Sequence, residues 1–356
     1  MTRQQILLSV FLLITISSLV GILNSGGGSN AEHKIRISLL GTSEDEDYDG
    51  ALAFKHYVES RSDSAIAVEL YPSGQFCSTE RECLEALQAG VLQVFMFTTG
   101  GFGSVYGPAQ VLDLPYVFRD DAVAECVLDG PIVDLLSQTV LEAELGIRLM
   151  TVSNTGGWRN FATTERPILT PEDVRGRKIR TITAPLQQEL VRQLGGNPTP
   201  ISWSEVYSAL ATGVVDGTKN GIHDIVSMQL HEQIKYVTLD GHAYMGALWW
   251  MNNAKFMGMP EDLRRVVVDG FAALQQATFA SPKRKSIQAY SDFVAGGGDL
   301  YVPTPAQKQQ FKSAAAPVYD WFKANVKGGT EIFDALTSAV AEAEAGLSAG
   351  MAKDIN

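Results

Sequence analysis

The chain has 356 residues, 45% of them apolar and 19% charged, with a formal net charge of −12. It is too long for one small core and too apolar for wholesale disorder, so two lobes or domains of a globular protein are expected. So acidic a surface repels nucleic acid and anionic lipid and excludes both as partners. An anionic ligand would need a local cluster of cations working against the global field.

The amino terminus stands apart. Arg3 precedes an uncharged run from Ile6 to Leu23, followed by small residues from Ser25 to Ala31. Ser29 and Ala31 occupy the −3 and −1 places of a signal-peptidase site, which predicts an export signal over residues 1–31 and a cut before Glu32. The alternative is an uncleaved anchor, because about 18 apolar residues just suffice to span a bilayer. Either way, the chain beyond residue 31 is expected outside the cytoplasm, in the periplasm. Loss of the leader removes only Arg3 among charged residues and takes the net charge from −12 to −13.

Lys34–Leu40 alternates as a strand, Tyr48–Arg61 has helical spacing, and Ala65–Tyr71 is a second strand ending at Pro72-Ser73-Gly74. Thr79 and Glu82 form a capping box for a helix over Arg81–Ala89. Leu92–Phe97 suits a buried parallel strand. A helix over Asp121–Leu145, broken at Gly130-Pro131, leads to a strand over Ile147–Ser153, with Trp158-Arg159-Asn160 in the loop after it. Thr170-Pro171-Glu172-Asp173 starts another helix. Lys178–Thr183 is strand-like, Leu186–Leu194 is helical, and Ser202 with Glu205 caps a helix over Trp203–Ala211. This alternation predicts an α/β architecture with mostly parallel sheets. Pro260–Phe293 then reads as one helix long enough to cross two lobes, and further helices are expected over Pro305–Val326 and Glu331–Leu347.

Catalytic constellations are missing: there is no nucleophile elbow, no Walker loop, and Lys235 stands where a zinc motif beginning at His231 needs a second histidine. Asp45, Asp47, Asp49 and Gly50 mimic the start of an EF-hand loop. The twelfth position is His56 instead of glutamate, so these acids are assigned to a helix amino terminus and no metal is expected. Cys77 and Cys83 either bridge or remain thiols with Cys126. Against the acidic background, Arg159 and Arg180 stand out. A strand arginine is costly unless it meets a carboxylate or points to water.

Gly176-Arg177-Lys178-Ile179-Arg180, Gly195-Gly196-Asn197-Pro198-Thr199-Pro200, Trp203–Leu210 and Gly213-Val214-Val215-Asp216-Gly217 occur in one order at tight spacing. With Gly41-Thr42-Ser43, Tyr71–Gln75, Leu114–Phe118 and Met259–Leu263, they resemble the DctP-type solute-binding proteins of TRAP (tripartite ATP-independent periplasmic) transporters. The resemblance runs from about residue 34 to the last helices.

It implies a two-lobed receptor crossed by a long helix, with lobe I over 32–156 plus 246–284 and lobe II over 157–245 plus 285–356. It further implies no enzyme activity, no cofactor, a monomer, a small organic-acid ligand and TRAP membrane subunits as partners. The family's carboxylate clamp falls on Arg180, whose planar fork lysine cannot copy. Arg159 and Asn220 complete the anion end, and Trp203 falls where an aromatic lines the pocket. Thr98 replaces an acid that in some members binds hydroxyls or amines, and Tyr244 is taken as a further lining residue.

Where the family reads Asp-Gly-Gln-Glu-Asn-Pro, this chain has Asp216-Gly217-Thr218-Lys219-Asn220-Gly221. Lys219 is either a third ligand cation, suited to a sulfonate or dicarboxylate, or a solvent-facing lysine. Of the paired Trp249 and Trp250, strand alternation allows at most one to face the cleft. A uronate or other sugar acid is the first expectation for the ligand. A ligand-sensing protein for a signalling partner is the alternative function.

Overall fold

The computed structural model describes residues 31–355; all but the last residue of the expected leader lies outside the described residues. The elements run β1 (His33–Ser38), α1 (Glu46–Arg61), β2 (Ile66–Tyr71), α2 (Glu80–Gln88), β3 (Val94–Thr98), α3 (Asp121–Leu128), α4 (Pro131–Glu142) and β4 (Ile147–Thr163). They continue with β5 (Lys178–Thr181), α5 (Pro185–Gln193), β6 (Asn197–Pro200), α6 (Val206–Ala211), β7 (Gly217–Asn220), α7 (Ile222–Ser227) and β8 (Tyr236–Asn252). The carboxy-terminal part is α8 (Glu261–Ala295), β9 (Asp299–Tyr301), α9 (Pro305–Ala315), α10 (Pro317–Asn325) and α11 (Gly329–Ile355). No helix among the described residues is long and apolar enough to cross a membrane.

The strands form one sheet in the order β2-β1-β3-β8-β4-β7-β5-β6, with β9 on β8. Each end is parallel: β1 runs with β2 and β3, and β5 with β6 and β7. The centre is antiparallel, through β3-β8, β8-β4 and β4-β7. β4 and β8, 17 residues each, pair along most of their length and run from one end of the sheet to the other. This is why Trp158-Arg159-Asn160 lies inside a strand and not in the expected loop.

Each end has its own core. Ile35, Phe54, Val58 and Ala247 pack at the β2-β1-β3 end, and Ala162, Val206, Leu210 and Ile225 pack at the other. α8 serves both, giving Phe271 and Leu274 to the first and Ala289 and Phe293 to the second. Its 35 residues reach about 52 Å at 1.5 Å per residue. Phe271 meets Phe54 at 4.5 Å between ring centroids, and burying such a side chain stabilises by about 1.5–3 kcal/mol. α1 approaches α8 so closely that a Cβ on Gly50 would stand 2.4 Å from Thr278 Cγ2.

α11, expected with lobe II, packs Ile332, Leu336 and Ala343 into the same cluster as Val123, Val127 and Ile132 of α3 and α4. Pro317 splits the expected helix Pro305–Val326 in two, because it supplies no donor for the preceding turn. Thr170–Asp173 starts only a single 3-10 turn, Pro171–Val174, and Ser202 makes no side-chain cap for the turn Trp203–Glu205 that precedes α6. Cys77 and Cys83 are bridged, with Cα atoms 5.3 Å apart, while Cys126 is free and exposed.

Candidate functional site

A cavity of about 360 Å³ lies where the two ends of the sheet meet. The first end supplies Leu40 and Gly41 after β1, Asp45, Glu46 and Asp47 at the start of α1, Thr79–Arg81 at the start of α2, and Met96 and Thr98 from β3. The other end supplies Arg180, Ile182 and Thr183, then Ile201, Ser202 and Trp203, and then Asn220 and Asp224. Thr155 and Arg159 of β4 and Met245 of β8 line it from the strands joining the ends.

Both arginines are 2% exposed. Arg180 Nε donates to the Ile201 carbonyl at 3.0 Å, and its guanidinium lies 5.5 Å from the centre of the Trp203 ring. Burial, and then repulsion from Arg159, pulls the Arg180 guanidinium down to about 9, with Glu80 opposing the shift. It therefore stays charged near neutrality. Arg159 is fixed from behind: its Nη1 donates to the Lys219 carbonyl at 3.2 Å and its Nε stands 3.7 Å from Asp113 Oδ1. Gln187 Nε2 anchors the other Asp113 oxygen at 2.6 Å. Asn220 donates to Asp224 Oδ2 at 3.3 Å and accepts from Thr218 Oγ1 at 2.7 Å. Among the described residues, no carboxylate lies within 4.0 Å of Arg180, so its outer nitrogens face the cavity without a charged partner.

The opposite wall is acidic. Asp45 folds back so that its Oδ2 accepts from Thr42 N at 2.6 Å, which needs Gly41, since a Cβ there would stand 2.2 Å from that oxygen. Asp47 Oδ2 accepts from Thr155 Oγ1 at 2.7 Å. Burial first, then the neighbouring acids, holds the Glu46 carboxyl well above the usual range. Burial likewise pushes Asp47 up to about 8 and Asp224 to about 6. His223 of α7 reaches across, with Nε2 3.5 Å from Glu46 Oε2 and 3.9 Å from Asp45 Oδ1. Lys285 of α8 holds Asp49, which is outside the cavity lining, at 2.8 Å.

Arg180, Arg159, Asn220, Trp203 and Thr98 thus line one cavity. Thr98 also caps a short turn, its Oγ1 accepting from Gly101 N at 3.0 Å. Lys219 and Tyr244 do not line it. Lys219 is 2% exposed and donates to the Gln187 carbonyl at 3.3 Å, so it is neither a cavity cation nor solvent-facing. Tyr244 is buried against Trp158 at 5.3 Å between rings, and its Oη donates to Glu125. Trp249 and Trp250 point into different cores; Trp250 stacks on Phe102 at 4.1 Å, and neither reaches the cavity. Sequence reasoning missed Asp45, Glu46, Asp47, Glu80 and Asp224 as cavity residues. For Asp45, Glu46 and Asp47 the signal was the acid run at the start of α1, read only as complementing the helix dipole.

Residues 38–325 match the DctP family, bacterial extracellular solute-binding protein family 7. The chain belongs to that family. It is 31% identical to the ectoine-binding periplasmic protein TeaA of Halomonas elongata, over 81% of this chain and 86% of that protein. The C4-dicarboxylate-binding periplasmic protein DctP of Rhodobacter capsulatus is 30% identical, over 82% and 86%. The crystal structure of a TRAP periplasmic solute-binding protein from Sulfurospirillum deleyianum with bound succinate superposes with a TM-score of 0.80 at 25% identity, covering 87% of this chain and 99% of that one. A second, from Anaerococcus prevotii with bound D-glucuronate, shares the fold, with a TM-score of 0.82 at 24% identity over 87% and 99%. The fold is therefore the expected one, that of the TRAP solute-binding proteins. The family consists of solute receptors.

Proposed function

We propose that this chain is an exported receptor that captures a small organic acid between the two ends of its sheet and delivers it to TRAP membrane subunits. One observation carries the reading: two buried arginines line one cavity, and Arg180 has no carboxylate partner among the described residues. A buried guanidinium without a counter-ion is costly, and a ligand carboxylate relieves that cost with paired N–H···O bonds. Arg159, held by Asp113 and the Lys219 carbonyl, supplies the second cation, and Asn220 and the Trp203 ring complete the anion end. The ligands of the related proteins, ectoine, C4-dicarboxylates and succinate, all carry carboxyl groups.

Closure of the two lobes around the ligand is then a population shift, because the ligand touches both walls only in the closed form. In an organic-acid screen by thermal shift, with calorimetry on the hits, Arg180→Lys is expected to lose at least a hundredfold in affinity for the best ligand while keeping its melting temperature. Unchanged affinity in that variant would remove the clamp.

A further inference from the structure

The cavity holds both signs of charge: Arg159 and Arg180 with Glu80 acting on both, and Asp45, Glu46 and Asp47 clustered at the start of α1. Arg180, with no carboxylate within 4.0 Å among the described residues, and Arg159 in the same lining ask for an anion. The acidic wall asks for something else. Asp45 Oδ1, Glu46 Oε2 and Asp47 Oδ1 are buried and accept no hydrogen bond, although their residues are at most 7% exposed. His223 Nε2 stands 3.9 Å from Asp45 Oδ1 and 3.5 Å from Glu46 Oε2, which leaves Asp47 Oδ1 without a partner among the described residues. These acids form the amino-terminal cap and first turn of α1, where the helix dipole favours the ionised form. No group of acids, histidines or cysteines among the described residues is arranged to hold a metal ion. None of the four carboxylates lies within 4.0 Å of either arginine, and the cavity between them leaves space for a ligand.

We infer that the natural ligand is a zwitterion, a small carboxylate that also carries a cationic nitrogen, with its carboxylate on Arg180 and Arg159 and its nitrogen on Asp47 and Glu46. This rests on the carboxylate reading above and narrows it. An ammonium or amidinium group brings several N–H donors and a positive charge to oxygens that have neither. A sugar hydroxyl brings one donor and no charge, and leaves adjacent buried acids repelling one another. Burial and that mutual repulsion hold the free receptor's carboxyls above their usual range, and a bound cation offsets both causes. The acid that Thr98 lacks is therefore supplied from α1. Leu40, Met96, Ile182 and Met245 also line the cavity and suit a short apolar spacer.

Calorimetry on the purified receptor with matched pairs of amino acids and hydroxy acids of three to six carbons, together with D-glucuronate, tests this. The amino members are expected to bind at least tenfold more tightly than their hydroxy partners. Glu46→Gln combined with Asp47→Asn is expected to erase that preference, and Glu46→Gln alone to reduce it. Hydroxy acids or glucuronate binding as tightly as the amino acids, with no change in the variants, overturns the zwitterion and leaves the arginine clamp standing. Binding of no carboxylate of either kind overturns both.

Discussion

Lys219 carries an ammonium group in a place that excludes water, with one carbonyl at 3.3 Å and no carboxylate within 4.0 Å among the described residues. Burial pulls it down to about 7, and the charge of Asp113 is the main push the other way. Such a group costs stability near neutrality, whereas a methionine of similar length would fill the space without a charge to desolvate. Lys219→Met is therefore expected to leave ligand affinity within threefold and to keep or raise the melting temperature by about 2–4 °C. A hundredfold loss of affinity on calorimetry would instead make Lys219 a ligand residue. Its direction was partly legible from the sequence: adjacent strand residues alternate, so an Asn220 that faces the cavity turns Lys219 away. Arg180, Arg159, Asn220, Trp203 and Thr98 were legible because ordered motifs placed them on the family's site. Asp45, Glu46 and Asp47 were not, since a helix-start acid looks the same in one sequence whether it points to water or across a cleft.

The central strand β4 is bent by a register shift between Asn154 and Trp158 that contains two glycines. Gly156 has φ +82° and Gly157 φ +77°, both in the left-handed region. That pair reads in sequence as a loop, which is why the strand was expected to stop at Ser153 and the arginine beyond it to lie on a connection. The bulge instead lets one strand serve both ends of the sheet and turns Thr155 and Arg159 into the cavity. The two glycines differ in what surrounds them. A Cβ on Gly156 would stand 2.3 Å from Met245 Cε and 2.9 Å from Asp224 Oδ1, whereas one on Gly157 meets nothing within 4 Å. Gly157→Ala should then cost only the backbone strain, about 1–2 kcal/mol in thermal denaturation, with affinity within twofold. Gly156→Ala should cost at least as much stability and also at least tenfold in affinity, because it displaces Asp224 and with it Asn220. Equal affinities for the two variants would show that the bulge serves the fold alone.

Across the whole molecule the two walls make capture a proton-linked event. Asp47, faced by Asp45, Glu46, Thr155 and Lys285, and Asp224, faced by Asp45, His223, Asn220 and Arg159, titrate at about 8 and about 6 in the free receptor. Both values lie above the unfolded value of 3.8, so between there and pH 8 the folded chain binds more protons than the unfolded one. Stability from these groups is fully present below about pH 4 and is lost as the pH rises through about 6 and then 8. The free receptor should accordingly melt at a lower temperature at pH 8 than at pH 5. A cationic ligand nitrogen favours the ionised carboxyls and expels their protons on binding. Affinity should then rise between pH 6 and pH 8, by about tenfold per pH unit for each proton released, and the ligand-bound receptor should lose less melting temperature than the free one over that range. Calorimetry in buffers of different ionisation enthalpy counts the protons. Proton uptake, with affinity falling as pH rises, would mean that protonated carboxyls donate to ligand oxygens, as a hydroxy acid requires.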